Sequence, residues 1–410
     1  MNIDVMRWID HRLGVPLCFL LTLAGRLFLP RRSPLSAPRR ILFIELSEMG
    51  STILADPAMR KARQQFDAEL YFVIFRRNAN SLAFLRTVPE SNVYTIREDS
   101  LVTLVVDTLG FLRWTRRLGI DCVIDLELFS RFTALLSGLS GAARRVGFYR
   151  FHNEGLYRGE LLTHRVAYNP HIHIAKNFLA LINALTEPDG QVPFSKTVID
   201  DAELIIPQVP VSAAAKADMQ RRIEAAFPPF DSARHRIVLI NPNASELLPQ
   251  RRWPHAHFAA LAGMILAAWP DALILITGAP EETAEADRLC ARLPDPRLVN
   301  FAGRQKLTEL PALYALASLM VTNDSGPGHF AAVSDMPVIS LFGPETPALY
   351  GPLGRGVSLT AGMACSPCVS AANHRKTACR EPLCMTVLTP ETVFAQVRRW
   401  LDSEPSRRPA

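Results

Sequence analysis

Runs of apolar residues and segments of helical spacing alternate along most of the chain. From residue 41 onward, the runs ILFIEL, ELYFVIF, NVYTI and DCVIDLEL have the continuous apolar character of buried parallel strands. After a turn at SEMGST, the segment ILADPAMRKARQQF carries apolar residues at helical intervals, and TALLSGLSGAARRVGF continues the alternation. This order of strands and helices predicts a doubly wound α/β domain.

A second series of the same kind follows a stretch at 187–210 that contains Pro and Asp. Its strand-like runs are RIVLINP, DALILITG, LVNFAG, LMVTND and PVISLFG, and the segments HAHFAALAGMILAAW, EETAEADRLCARL, LTELPALYALA and GHFAAVSD have helical spacing. The sequence therefore predicts an α/β protein with two Rossmann-like doubly wound domains that face each other across a cleft. We place them at residues 41–200 and 201–400, followed by a short tail at 401–410.

The first 40 residues have a different character. The run Leu13–Gly25 is uncharged and flanked by arginines, but its 13 residues are fewer than the roughly 20 that cross a bilayer. Asp4 and Asp10 are unfavourable in a signal peptide. We expect an amphipathic helix that lies with Trp8 in the interface of an anionic membrane, followed by a Pro/Ser/Arg linker. The alternatives are a helix packed on the protein's own surface and a cleaved or spanning segment.

Composition limits the classes of partner. The chain has 410 residues, 49% of them hydrophobic, which is enough for two cored domains and argues against disorder. The net charge of +6 rests mainly on arginine, whose guanidinium binds phosphate and carboxylate in a bidentate manner. No zinc finger, RNP-like string or cluster of arginines interleaved with aromatics is present in the sequence, so we expect no nucleic-acid partner.

The segment VTNDSGPGHFAAV at 321–333 predicts a ligand site. A strand ends there and a helix begins, and ligands of parallel sheets bind at the carboxyl ends of strands, where helix amides are unpaired. Asp324 and His329 can hold a hydroxyl or a phosphate, although a tight turn with Asp324 as helix N-cap is the alternative. The polar segments NPNAS, TGAPEE and LFGPETP also follow strands, which favours a pyrophosphate site at this edge.

Taken together, these motifs resemble the bacterial heptosyltransferase family, which are inverting glycosyltransferases of the GT-B fold. The family pattern reads approximately IRLSSIGDVVLTTPALRAL, DLQGNLRSALL…GAKRRIGF, NPGAS…KRWP, GGPxE, NDTGPMHLAAA and ALFGPTDP. The chain has IELSEMGSTILADPAMRKA, DLELFSRFTALLSGLSGAARRVGF, NPNASELLPQRRWP, TGAPEE, NDSGPGHFAAV and SLFGPETP in the same order, between about residues 41 and 400. The resemblance implies heptose transfer from ADP-heptose to a lipopolysaccharide-type or other surface glycan acceptor, without a catalytic metal.

The resemblance also implies a set of donor-binding residues. Arg251 matches the basic residue that meets the diphosphate, and Glu282 or Glu281 matches the acid that holds the nucleoside ribose. Trp253 of the same motif fits a core position better than a contact. The complete set of donor-binding candidates is Asn243, Arg251, Gly278, Glu281, Glu282, Asp324, Ser325, Gly326, Pro327, Gly328 and His329.

The chain departs from the family at the catalytic base. Ser51 stands where the family has its catalytic Asp, and a serine is no general base near neutral pH without an activator. Glu48 and Asp56 are candidate substitutes, although Asp56 precedes Pro57 and also suits a turn or cap. Three alternatives stay open: another base elsewhere, a non-catalytic nucleotide-sugar-binding or scaffold protein, and a sugar-nucleotide epimerase.

Two further groups of residues complete the expectations. Basic residues of the first domain meet the acceptor in this family, and the candidates here are Arg131, Arg76 and Arg145. A cysteine cluster at 365–384 has spacings that suit a structural zinc or iron ion, with reduced or disulfide-bonded thiols as the alternative, and its members are Cys365, Cys368, Cys379 and Cys384. We expect the protein at the cytoplasmic face of a bacterial inner membrane, because the implied acceptor is lipid-linked.

Overall fold

The chain folds into two units, each built on its own sheet. A computed structural model describes residues 3–28, 37–47, 49–151, 155–187, 196–371 and 375–403. The first unit consists of residues 1–205 and 371–374, and the second of residues 206–370 and 375–410. Among the described residues, no helix is long and apolar enough to cross a membrane.

The first unit contains six strands and six α-helices in its described part. In chain order these are α1 (Ile3–Ile9), α2 (Val15–Phe28), β1 (Arg40–Ile44), α3 (Met49–Phe66), β2 (Glu69–Phe75), β3 (Val93–Ile96), α4 (Leu101–Leu118), β4 (Cys122–Asp125), α5 (Arg131–Leu139), β5 (Arg144–Tyr149), β6 (His164–Ala167) and α6 (Ile174–Asn183). A π-helical segment, Asp10–Gly14, joins α1 to α2.

The sheet of the first unit is parallel throughout, with the strand order β3-β2-β1-β4-β5-β6. This is the doubly wound order in which the connections reverse direction between β1 and β4. Every residue of β4 is buried, as expected for a parallel strand covered by helices on both faces.

The predicted turn at SEMGST is wrong in its second half. Helix α3 begins at Met49, four residues before the predicted helix segment, so Ser51 lies in its first turn. Pro57 therefore lies inside the helix, and the buried face that includes Ile53, Ala58 and Met59 compensates for the backbone hydrogen bond that proline cannot donate.

The N-terminal helices pack on the first unit along one face. Cys18 is fully buried against Ala134 and Leu161, and Thr22 accepts a hydrogen bond of 2.9 Å from the backbone N–H of Glu160. The opposite face exposes large apolar side chains, including Trp8. Packing on the protein's own surface is therefore present, and contact with a membrane stays a prediction.

The second unit contains six strands and eight α-helices in its described part. They are α7 (Ala213–Ala226), β7 (Arg236–Asn241), α8 (His255–Ala268), β8 (Ala272–Ile276), α9 (Thr283–Cys290), β9 (Leu298–Asn300), α10 (Leu310–Tyr314), β10 (Ala317–Asn323), α11 (Gly326–Phe330), β11 (Val338–Phe342), α12 (Pro347–Tyr350), β12 (Gly356–Thr360), α13 (Leu383–Thr386) and α14 (Pro390–Leu401).

The second sheet repeats the topology of the first. Its strands are all parallel in the order β12-β11-β10-β7-β8-β9, so the reversal of connections falls between β7 and β10. All residues of β7, β8, β10 and β11 are buried. The predicted doubly wound α/β fold is confirmed in both units. The predicted helix LTELPALYALA is shorter than expected, because β10 already begins at Ala317.

Candidate functional site

A buried asparagine positions a loop at the edge of the second sheet, at the point where the strand order reverses. The side chain of Asn323, at the end of β10, donates to the carbonyl of Pro242 at 2.7 Å and accepts from the backbone N–H of Trp253 at 3.0 Å. It thereby fixes the loop that follows β7. Trp253 is fully buried and donates its ring N–H to the Leu388 carbonyl at 2.7 Å. It therefore lies in the core and anchors the loop there.

This loop carries Arg251 to the end of β10. The guanidinium Nη1 lies 3.3 Å from Oδ2 of Asp324, which directly follows the strand. The Nε of Arg251 is buried and has no hydrogen-bond partner among the described residues. Burial raises the pKa of Asp324, and the charge of Arg251 opposes this shift. A cationic group with a spare buried donor is suited to a phosphate oxygen.

Glu345, after β11, completes this charged group, and sequence reasoning did not assign it. Its side chain is 3% exposed; burial and the charge of Asp324 raise its pKa to about 8, whereas Arg251 opposes the shift. The Nε of Arg375 lies 3.4 Å from Oε1 of Glu345, an ion-pair contact without hydrogen-bond geometry. The signal in the sequence is the motif SLFGPETP, which has Glu where the family pattern has Thr.

A second polar group lies where β8 ends. An added Cβ at Gly278 would come within 2.8 Å of the Asn243 side-chain nitrogen and 2.9 Å of Oε2 of Glu282, so these residues surround one backbone position. Oε2 of Glu282 accepts the N–H of Ala279 at 2.7 Å, and burial raises the pKa of this carboxyl. Glu281 is exposed. The structure thus places Glu282, rather than Glu281, beside Asn243 and Gly278.

The predicted helix after Asp324 is short. Helix α11 has five residues, Gly326–Phe330, with Pro327 in its first turn and no side-chain cap from Ser325. The hydroxyl of Ser325 instead contacts the Thr322 hydroxyl at 3.1 Å. A single turn of helix supplies only part of a macrodipole, so Arg251 is the main cationic group at this edge, and anion binding by the helix amides together with Arg251 stays a prediction.

Two residues of α11 are fixed in the core of the second unit. Gly328 lies against β10 and β11, because an added Cβ would come within 3.3 Å of the Ser340 hydroxyl and 3.4 Å of Thr322. His329 is 8% exposed. Position 328 therefore needs a small residue for packing, whatever its relation to a ligand.

In the first unit, the candidates for the catalytic base are differently placed. Glu48 lies outside the described residues, and Ser51 is half-buried in the first turn of α3. Asp56 is fully buried; Arg60 donates to it at 2.7 Å and the Thr87 hydroxyl also donates to it. The proposal of Asp56 as a base is therefore corrected: its carboxylate is enclosed within the unit and neutralised by Arg60.

A carboxylate that sequence reasoning missed positions the loop before Ser51. Oε1 of Glu127, after β4, accepts the backbone N–H groups of Leu46 and Ser47 at 2.9 Å and 3.0 Å and the Ser47 hydroxyl at 2.6 Å. These contacts join the ends of β1 and β4, where the strand order of the first sheet reverses. The motif DLELF has Glu where the family pattern DLQGN has Gln, which is the signal that could have identified it.

Two of the three predicted acceptor residues are structural. Arg131 is 3% exposed, pairs with Asp10 at 3.1 Å and donates to the Tyr157 carbonyl. Arg145 donates to the carbonyls of Leu161 and Ala142 at 2.6 Å each, and burial lowers its pKa. Both are corrected, because their donors are used within the unit. Arg76 is exposed, directly after β2, and stays a candidate.

The cysteine cluster does not form a metal site in the described structure. Among the described residues, no group of three or more His, Cys, Asp or Glu side chains is arranged to hold an ion. Cys384 is buried in the hydrophobic core, and its pKa is raised by burial and then by the neighbouring Cys368, Cys379 and Cys365. Cys365 and Cys368 are exposed. The predicted zinc or iron ion is therefore not supported.

The fold and the edge of the second sheet together define a class of protein. Two parallel doubly wound sheets in one chain form the GT-B architecture. The chain also matches the model of glycosyltransferase family 9 (heptosyltransferase) over residues 116–378, and it belongs to this family. The resemblance seen in the sequence motifs is thereby confirmed.

Similar proteins agree with this assignment. The chain is 32% identical over 166 residues to lipooligosaccharide heptosyltransferase 2 of Haemophilus influenzae, which is 39% of the chain and 46% of that protein. The solved structure of E. coli ADP-heptose lps heptosyltransferase II has a TM-score of 0.67 at 20% identity and covers 88% of this chain and 98% of its own. A family 9 glycosyltransferase of Veillonella parvula has a TM-score of 0.66 at 17% identity, with 92% and 100% covered.

The matches in sequence are partial. The aligned region spans less than half the length of three of the curated relatives that the chain matches, at 46%, 41% and 44%. The two solved structures are similar in fold, and their low identity carries no argument about the reaction.

Proposed function

We propose that this protein is an inverting glycosyltransferase that moves heptose or a related sugar from a nucleotide diphosphate donor to a lipopolysaccharide-type or other surface glycan acceptor. The observation that carries the proposal is the Arg251–Asp324 pair with its unused Nε donor at the reversal point of the second sheet. Ligands of doubly wound sheets bind at this position. ADP-heptose is the first candidate donor, and a solved E. coli heptosyltransferase of the same fold is described with ADP-2-deoxy-2-fluoro heptose.

Arg251 would act on the leaving group. When the bond to the sugar breaks, negative charge grows on the diphosphate, and a fixed guanidinium stabilises that charge without reorganisation. Asp324 orients the Arg251 guanidinium through its contact with Nη1, and this ion pair thereby fixes the direction of the Nε donor. The Arg251 guanidinium, oriented by Asp324, would itself supply this electrostatic stabilisation of the leaving diphosphate.

Asn243 and Glu282 would hold the nucleoside. Both surround Gly278 at the neighbouring strand end, and a carboxylate beside an amide can accept and donate hydrogen bonds to ribose hydroxyls. The Glu282 carboxylate is half-buried, which raises its pKa and strengthens its hydrogen bonds. Removal of this carboxylate should weaken nucleoside binding more than phosphate binding.

The acceptor half of the reaction is argued from the family pattern. In a single displacement, an acceptor hydroxyl attacks the anomeric carbon, a carboxylate takes its proton, and the nucleotide leaves from the opposite side. Glu48 is the candidate for this base, and Arg76 is the candidate for a phosphate or acidic group of the acceptor. An acceptor that is lipid-linked would place the protein at the cytoplasmic face of the inner membrane.

A second candidate function rests on Ser51. Because this position lacks a carboxylate, a protein that binds the nucleotide sugar without transferring it fits the same donor site. The two functions differ in one measurement, which is transfer of radiolabelled heptose from ADP-heptose to heptose-deficient lipopolysaccharide core. Transfer supports the enzyme; donor binding by calorimetry with no transfer to any acceptor supports the binding protein.

The candidate base has its own test. Glu48→Gln should abolish transfer and leave donor affinity unchanged, because the substitution removes the proton acceptor but is distant in sequence from the donor motifs. Full activity in this variant would remove Glu48 from consideration. Release of an altered sugar from the donor without any acceptor would instead identify an epimerase.

A further inference from the structure

Helix α4 exposes an apolar stripe that no contact with the described residues of the first unit explains. Val102, Val105, Val106 and Leu109 follow the helical spacing of one face, and Val102 is 73% and Leu109 62% exposed. The opposite face of α4 already packs in the core through Phe111 and Thr115, which are buried. A surface helix normally presents a polar outer face, so a second apolar face indicates a binding surface.

The N-terminal helices expose a second stripe of the same kind. Trp8 on α1 is 60% exposed, and Leu13 in the π-helical segment and Leu17, Phe19 and Leu20 around α2 are each about half exposed. The inner face of this segment is occupied, because Cys18 is fully buried and Asp10 pairs with Arg131. The outward apolar residues are therefore not the ones that dock the helices on the unit.

Both stripes belong to one layer of the first unit. Helix α5 packs against α4 and against α2, and no residue of α5 is exposed. In the same layer, Met6 of α1 packs against the same core cluster as Leu112 and Trp114 of α4. The two apolar stripes therefore flank α5 on the same side of the sheet, and we call them together the two-helix surface.

The unpaired charges described on the helices of the two-helix surface are positive. Arg12, Arg113 and Arg117 are exposed and form no ion pair among the described residues. The acidic side chains described on these helices are occupied, because Asp10 pairs with Arg131 and Asp107 with Arg97. An exposed acid, Asp99, lies just before α4 begins, at the end of the stripe away from Arg113 and Arg117.

We propose that the two-helix surface binds an anionic lipid bilayer, with α4 as a membrane-binding element in addition to the N-terminal helices. Apolar side chains beside unpaired arginines suit the boundary between acyl chains and phosphate groups, and Trp8 suits the same depth. A second copy of the chain fits less well, because a two-fold contact through this face would bring two sets of arginines together. The inference concerns binding and does not depend on the transfer reaction.

The test is co-sedimentation of the full-length protein with vesicles in the absence of donor and acceptor. Val105→Glu/Leu109→Glu places two charges in the α4 stripe and leaves the N-terminal helices intact; we expect it to weaken partition into phosphatidylethanolamine/phosphatidylglycerol vesicles about 10-fold or more. The matched control is Val198→Glu/Val387→Glu, which changes two exposed valines outside this surface and should bind as the unaltered protein does.

A second arm tests the charges. Arg113→Gln/Arg117→Gln should weaken binding to these anionic vesicles by about fivefold for each arginine and leave binding to phosphatidylcholine vesicles unchanged. Equal far-UV circular dichroism and equal ADP affinity show that a variant is folded. The proposal is overturned if the folded α4 variant binds vesicles as the unaltered protein does. Sedimentation velocity that shows a dimer only in the unaltered protein, without vesicle binding, would assign the surface to a second copy.

Discussion

Three charged side chains within the second unit set the electrostatics of the candidate donor site. Arg251 is shared between Asp324, which it contacts at 3.3 Å, and Glu345, whose pKa it lowers against the effect of burial. Two buried acids compete for one guanidinium, and the second acid is relieved in part by Arg375. A diphosphate that enters this group adds more negative charge, so affinity depends on the protonation of the acids and on the geometry of Arg251.

Substitution of Arg251 tests its proposed role as the group that binds the diphosphate. Arg251→Gln should weaken binding of ADP by about 10-fold or more, because a charge-assisted hydrogen bond is replaced by a neutral one. Isothermal calorimetry measures this effect. The control is Arg288→Gln, an exposed arginine on α9 that bonds its own helix carbonyl at Ala284. Unchanged ADP affinity in Arg251→Gln would contradict the assignment.

The raised pKa of Glu345 predicts that ADP binding depends on pH. Its pKa of about 8 lies above the ordinary value of 4.5, so Glu345 is mostly neutral at pH 7 and gains a negative charge as the pH rises through about 8. Affinity for ADP should therefore fall between about pH 7 and pH 9, and Glu345→Gln should remove this dependence. A flat profile in the unaltered protein would show that Glu345 does not face the phosphates.

The same group affects stability with a defined sign. Between the ordinary pKa of 4.5 and the raised pKa of about 8, the folded protein binds this proton more tightly than the unfolded chain does. The contribution of Glu345 to the free energy of unfolding is therefore fully present below about pH 4.5 and is lost as the pH rises to about 8. Glu345→Gln should reduce this loss in denaturant titrations at the two pH values.

Ser51 offers a test by restoration. Ser51→Asp returns the family's carboxylate to the first turn of α3, where an acidic residue is also favourable to the helix. If a missing base limits the reaction, transfer should increase about 10-fold or more, within the range of general base catalysis. Ser51→Asn is the matched control of similar shape without charge. Equal activity of the two variants would show that the base is supplied elsewhere.

At the scale of elements, Asp10 couples the N-terminal helices to α5. Its Oδ1 accepts the N–H groups of Arg131 and Phe132 at 2.9 Å each, in the first turn of α5, and its Oδ2 lies 3.1 Å from the Arg131 guanidinium. A residue 121 positions earlier thus supplies a helix cap and an ion pair at once. Together with the buried Cys18, these contacts keep the apolar outer face directed away from the unit.

Removal of this carboxylate should release the segment. Asp10→Ala leaves the nearly buried charge of Arg131 without its acid, so we expect the free energy of unfolding to fall by about 3 kcal/mol, measured by denaturant titration. Faster proteolysis between residues 9 and 28 should accompany the loss. Asp218→Ala, which breaks exposed pairs with Arg221 and Arg222, should leave the free energy of unfolding nearly unchanged, because solvent screens these charges. Equal losses in both variants would contradict the coupling.

At the scale of the whole molecule, the chain repeats one topology twice but gives the two copies different chemistry. Both sheets reverse direction at their fourth strand, and polar loops follow the central strands in each. In the second unit these loops contain Arg251, whose buried Nε has no hydrogen-bond partner among the described residues. In the first unit, Glu127 joins the corresponding loops by hydrogen bonds. Nucleotide should therefore be recognised by the second unit.

Hydrogen exchange tests this division of roles. ADP at 100 times its dissociation constant stabilises the binding unit by about 2.7 kcal/mol, so amides in the loops after β7, β8, β10 and β11 should exchange more slowly. The amides of β1, β2 and β4 should be unaffected by nucleotide alone. Protection that appears first in the strands of the first sheet would contradict the assignment of the donor site.

The sequence by itself determined the architecture and the location of the donor loops. Continuous apolar runs such as those of β2 and β8 specify buried parallel strands, because only residues covered on both faces can be apolar throughout. Polar motifs placed directly after such strands must gather at one sheet edge, so Asp324 could be named without coordinates. Arg251 and the pair Glu281 and Glu282 came from the family resemblance, which left the choice between the two glutamates open. The family resemblance added their roles.

Only the tertiary structure decided which charged side chains are free to act. Arg131 and Asp56 look like site residues in the sequence, but Asp10 and Arg60 neutralise them, and these pairings depend on how helices pack rather than on local pattern. Glu345 and Glu127 acquired their positions in the same way. From helical spacing alone, an apolar stripe would be assigned to the core. Helix α4 has one apolar stripe packed in the core and another exposed, and the packing of its neighbours decides which is which.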